Sequence, residues 1–156
     1  MSDDIRERLH REVLICDGAM GTMLHTAGIA VERPLTEVNL SNPDLVRSIH
    51  QDYIAAGAQI IQTNTFGAVR PRLELHALEG RVAEINRAGA EIARGAASSA
   101  SPTPLVAGSV GPVATGAMRT RVTSAERQAA WSNRSAPCSR VASTYSSSRH
   151  SGIWSR

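Results

Sequence analysis

Three short apolar runs punctuate the chain, and each ends in polar residues. Residues 13–16 (VLIC) lead into Asp17, residues 59–63 into Asn64 and Thr65, and residues 105–110 into Gly111 and Pro112, with Ser109 near the end of the run. Their centres, Ile15, Ile61 and Ala107, stand 46 residues apart in each interval. Continuous apolar runs of this length suit strands buried on both faces, as in a parallel sheet. Between them the apolar period is helical. Residues 5–11 carry Ile5 and Leu9 four apart, a short helix expected to plug one end of the sheet. Met20, Met23 and Leu24 predict a helix closed by Gly28, and a long loop stiffened by Pro34 follows over 29–40. Asn42 before Pro43 is an N-cap and first-turn signature. Leu45, Val46, Ile49, Tyr53 and Ile54 then share one face before Gly57 ends that helix. Residues 71–78 and 81–94 supply further helical cover, the latter through Val82, Ile85 and Ile92, and 98–104 reads as a linker.

A strand-then-helix unit that repeats implies parallel strands joined by right-handed crossovers, an α/β fold. An open doubly wound sheet and a closed barrel both place their sites at the carboxyl ends of the strands. The open nucleotide-binding sheet would need a GxGxxG turn, and GAMGT at 18–22 is not one, so the barrel is the better reading. Asp17 sits where the first strand emerges, and Gly18 and Gly21 allow positive φ and close backbone approach around a small ligand. From these residues alone Asp17 reads equally well as a cap of the turn.

The 156 residues are 42% hydrophobic and 3% aromatic, enough for one domain with a core. Residues 1–118 hold ten Arg against thirteen acids and residues 119–156 seven Arg against one Glu, so formal charges of −3 and +6 sum to the +3 of the whole. The basic tail lacks the interleaved aromatics of a single-strand-binding surface, so no nucleic-acid partner is expected. With no apolar leader and no run long enough to span a bilayer, the expectation is a cytoplasmic protein without a membrane partner. Two cysteines, Cys16 and Cys138, give neither a disulfide framework nor metal-ligand spacing, and His10, His25, His50, His76 and His150 show none either.

The residues DGAMGTMLH at 17–25, PLTEVNLSNPDLV at 34–46, AAGAQIIQTNTFGA at 55–68, EINRAG at 84–89 and AGSVGP at 107–112 together resemble the start of a homocysteine S-methyltransferase domain. The likeness is greatest to bacterial enzymes of methionine synthesis and covers roughly residues 5–131. It implies a (β/α)8 barrel with homocysteine at the carboxyl ends of the strands, and a zinc ion held by three Cys thiolates that takes the homocysteine sulfur as fourth ligand. It also implies that Asp17 holds the homocysteine amino group, that Gly18 and Gly21 give the backbone room beside it, and that Asn64 and Thr65 line the pocket. For Asn64 and Thr65 the residues equally allow a purely structural role in satisfying loop backbone.

In the family the zinc cysteines lie on later strands than this chain supplies, and Cys16 stands at an ordinary core position. The expectation is therefore about three βα units of the barrel, a partial homocysteine-binding domain over 5–131 that binds no zinc and is inactive by itself. Thr123 and Glu126 open a capping-box helix at 123–131 that the following residues do not continue. From Ser132 the resemblance stops and nine of the last 25 residues are Ser. GC-rich codons for this stretch, read one base out of phase, permit PVGALLEGGVDLLVVETFRDLV, a helix end, a turn and a buried strand. Residues 132–156 are thus expected to be a disordered, out-of-frame tail. The alternative from another class is a small α/β binding module whose Arg-rich tail contacts anionic partners.

Overall fold

The computed structural model describes residues 5–112 together with 123, 125 and 128. The expected tail at 132–156 lies outside the described residues, as does the helix expected at 123–131 apart from Thr123 and the helical Ala125 and Gln128.

Helix α1 (Ile5–Arg11) and helix α2 (Met20–Thr26) flank the first apolar run. Gly28, at φ +91°, closes α2 with Ile29 N–H on Leu24 O at 3.0 Å and Gly28 N–H on His25 O at 2.9 Å, the paired bonds of a Schellman end. Leu35–Glu37 form a 3-10 turn that runs into α3 (Val38–Ser41). Helix α4 (Pro43–Ala55) begins as expected, with Asn42 Oδ1 accepting from Leu45 N–H at 3.3 Å and Pro43 in the first turn. Strand β1 (Ile60–Gln62) leads into α5 (Arg70–Leu73), then the long α6 (Val82–Ser98) and strand β2 (Leu105–Ala107).

Strands β1 and β2 pair in parallel, with Ile61 opposite Val106. The first apolar run joins the other edge of β1 through a parallel bridge of Cys16 to Ile60. Ile15 O accepts from Ile60 N–H at 3.0 Å, and Asp17 N–H donates to Ile60 O at 2.9 Å. Three parallel segments therefore lie in chain order, with helices between them. Side chains from α2, α3, α4 and α6 close the largest buried cluster, around Leu24, Val38, Val46, Ile49 and Ile92. Behind the sheet, Ile61 packs on Ala93 and Ala97, whose small side chains let α6 lie close to the strands.

Several expectations need correction. The run 13–16 is not buried on both faces: Val13 is 90% and Ile15 59% exposed, so the face that carries them is open to solvent. Leu9 is 57% exposed, so α1 does not plug the sheet. The loop at 29–40 is helical over its second half and buries Thr36, Val38 and Asn39. The helix expected over 71–78 is one α-turn and a 3-10 turn ended by Ala77 at φ +55°, a conformation that stops helix propagation.

Candidate functional site

At the carboxyl ends of the three parallel segments a cleft of about 620 Å³ opens, and Asp17, Gly18, Gly21, Gln62, Asn64 and Ser109 are among its lining residues. Asp17 is held by the neighbouring strand. Its Oδ2 accepts from Gln62 N–H at 2.8 Å, and its Oδ1 accepts from Gln62 Nε2 at 3.3 Å and from Cys16 Sγ at 3.4 Å. This fixes a partly buried carboxylate on the wall. Oδ2, which accepts one bond, keeps acceptor capacity for a further donor.

The turn after Asp17 is tight for a reason other than positive φ, which among the described glycines occurs at Gly28 and Gly57. A Cβ on Gly18 would lie 2.9 Å from Tyr53 Oη, and Tyr53 donates to Ala19 O at 3.3 Å. Much of the room at Gly18 is thus taken by α4.

Asn64 lines the cleft but its amide faces protein: Nδ2 donates to Leu35 O at 2.9 Å and to Asn39 Oδ1 at 3.0 Å. Asn39 in turn donates to Asn64 O at 2.8 Å and to Ile85 O at 3.2 Å. The network ties the segment before α3 to the end of β1 and to α6. Gly89 admits it, since a Cβ there would sit 2.6 Å from Asn39 Nδ2. Thr65 is fully buried behind the wall and donates to Ser109 O at 2.8 Å. Its hydroxyl lies 2.6 Å from that of Thr63, which accepts from Ser109 N–H at 2.9 Å. Because the Thr65 proton goes to Ser109, the Thr63 hydroxyl donates to Thr65. This chain of bonds fixes the end of β1 to the residues after β2.

The cleft therefore brings together Asp17, Gly18, Gly21 and Asn64, and leaves Thr65 one layer behind. Sequence reasoning passed over Gln62, Thr63, Phe66, Arg72 and Ser109 as lining residues. Gln62 and Thr63 carried a legible signal, since they end the same strand as Asn64. Arg72 carried none, because only the fold places it over Phe66, 5.9 Å from the ring centroid.

Two further groups lie close to the Asp17 turn. Burial first, and then the adjacent Asp17, push the Cys16 thiol above its ordinary value, the opposite of what a thiolate ligand requires. His50 on α4 is fully buried with neither ring nitrogen bonded among the described residues, and burial pushes its pKa down against the opposing pull of Asp17. Among the described residues no three His, Cys, Asp or Glu side chains converge as a metal site would need, and no helix is long and apolar enough to cross a membrane.

The homocysteine S-methyltransferase family model matches residues 14–141. The chain belongs to the homocysteine S-methyltransferase family. It is 33% identical over 118 residues to methionine synthase of Mycobacterium tuberculosis, and 34% identical over 119 residues to that of Mycobacterium leprae. Each match takes in 70% of this chain and 10% of the relative. Among solved structures it is similar to the homocysteine methyltransferase MmuM from Escherichia coli. The metallated form superposes with a TM-score of 0.70 at 26% identity, and the oxidised form with 0.72 at 28%. Both superpositions cover 88% of this chain, and 54% and 53% of the respective MmuM chains. The chain thus spans about half of MmuM and a tenth of the methionine synthases. The residues that line the cleft fall within the matched segment, Asp17 among them.

Proposed function

We propose that this chain forms the homocysteine-binding wall of a methyltransferase of methionine synthesis, built as the first three βα units of a (β/α)8 barrel. The observation that carries the reading is the Asp17 carboxylate, pinned by Gln62 at the mouth of a cleft within the family-matched segment. In this reading Asp17 receives the homocysteine ammonium, and Gly18 and Gly21 let the turn beside it lie close against Tyr53 and Leu35. Asn64 shapes the wall through Asn39, and Thr65 supports it from behind. The partners are homocysteine and a methyl donor, and the setting is the cytoplasm.

A zinc bound by three thiolates would lower the pKa of the homocysteine thiol. The residues here do not fit that group: the 156 residues hold two cysteines, and the Cys16 thiol is pushed up. The homocysteine thiol therefore stays mostly protonated at neutral pH, and methyl transfer by these residues alone is not expected. The arginines of the tail on which the alternative binding-module reading rests lie outside the described residues.

The test is calorimetric titration of L-homocysteine into the full chain and into Asp17→Asn. The amide retains an acceptor for Gln62 N–H but loses the charge, so the variant is expected to bind at least about tenfold more weakly. Equal affinity for the two proteins would contradict the assignment. In parallel, methionine formation with sulfonium- or folate-borne methyl donors is expected to stay at the uncatalysed rate, and measurable turnover would contradict the inactivity.

A further inference from the structure

We propose that Arg72 anchors the carboxylate of the amino-acid substrate, an inference that rests on the homocysteine reading above. Arg72 lies on α5 and lines the same cleft as Asp17. It is half-buried, its guanidinium carbon stands over the Phe66 ring, and one terminal nitrogen lies 3.6 Å from where a Gly67 Cβ would be. The head group is thus laid along the wall rather than extended into solvent. Arg8, Arg33 and Arg81 each meet a Glu within hydrogen-bond reach, whereas among the described residues Arg72 has no carboxylate within 4.0 Å.

A partly desolvated guanidinium stacked on an aromatic ring is pre-set for a planar anion, because its paired N–H groups match a carboxylate bidentately. Asp17 is the carboxylate and Arg72 the guanidinium among the side chains lining the cleft, and Met20, Leu35 and Leu73 supply apolar wall. One fixed charge of each sign with apolar surface complements a zwitterion that carries a short thiol chain. A simple cation or a simple anion would meet one of those charges, and a neutral thiol neither.

The experiment compares three ligands by calorimetric titration into the full chain, Arg72→Gln and Arg72→Lys. The ligands are L-homocysteine, 3-aminopropane-1-thiol, which lacks the carboxylate, and 4-sulfanylbutanoate, which lacks the amine. Wild type is expected to bind homocysteine about tenfold or more tightly than the aminothiol. Arg72→Gln is expected to lose that preference while its affinity for the aminothiol is unchanged. Arg72→Lys, which keeps the charge without the bidentate fork, is expected to recover part of it. Three results would overturn the inference: unchanged homocysteine affinity in Arg72→Gln, an equal loss for homocysteine and the aminothiol, or equal wild-type affinity for those two ligands. Failure of wild type to bind any of the three would instead overturn the homocysteine reading, and the inference with it.

Discussion

Among the described residues His50 is a buried base without a hydrogen-bond partner, and its consequence is a pH dependence of folding. The folded state holds the imidazole below its ordinary pKa of about 6.5, so the unfolded chain binds more protons as the pH falls. Stability contributed by neutral His50 is complete above about pH 6.5 and declines below it until the folded-state pKa is passed. Denaturant midpoints measured from about pH 8 down to pH 5 should fall in wild type and fall less in His50→Leu. Parallel profiles would show that other groups set the slope. Gly89 gives a second residue-scale prediction. A methyl there would press on Asn39 Nδ2 and, at 2.9 Å, on Thr65 Cγ2. Gly89→Ala is therefore expected to cost about 1–3 kcal/mol by overpacking, read from the same midpoints.

Among the elements, α4 was the most legible in the sequence because both of its ends are chemically marked. Asn42 and Pro43 start it, and Gly57, at φ +102°, ends it with Ala58 N–H on Tyr53 O at 3.0 Å. Asn42→Ala should lower stability by about 1 kcal/mol, whereas Asn42→Ser should be nearly neutral. Strand β1 was legible as an apolar run, and burial bears it out: Ile61 is fully buried, so Ile61→Ala should cost about 2–5 kcal/mol. The segment 29–40 was not legible, since Asn39 is buried by hydrogen bonds to residues distant in sequence rather than by an apolar period. His50 stayed hidden for a related reason, being a polar residue on an apolar face. Of the cleft, Asp17 and Asn64 could be read because they end strands, whereas Arg72 reaches it through the folded course of α5.

At the scale of the molecule, the described sheet has three parallel segments and two outer edges. Val13 and Ile15 expose apolar side chains along one of them. An exposed apolar edge is a template for pairing with another chain. Sedimentation velocity at micromolar concentration is expected to show self-association that grows with protein concentration. Placing Lys at both positions, Val13→Lys with Ile15→Lys, should shift the distribution toward monomer. A wild-type chain that stays monomeric across the range would contradict this. The burial expected of the first run fails for a separate reason, since the face that carries Val13 and Ile15 is open to solvent. The apolar pattern marked a strand, but pattern alone does not say what covers its faces.

The central claim is that the ends of these parallel segments form a homocysteine-binding wall organised by Asp17. Amide hydrogen exchange followed by mass spectrometry, with and without L-homocysteine, tests it most directly and works at low protein concentration. Slowed exchange is expected in peptides spanning residues 17–21 and 62–67, with no change over the outer face of α6, and the effect should be lost in Asp17→Asn. Exchange that homocysteine leaves unaltered in both peptides, or protection that persists unchanged in Asp17→Asn, would contradict the claim.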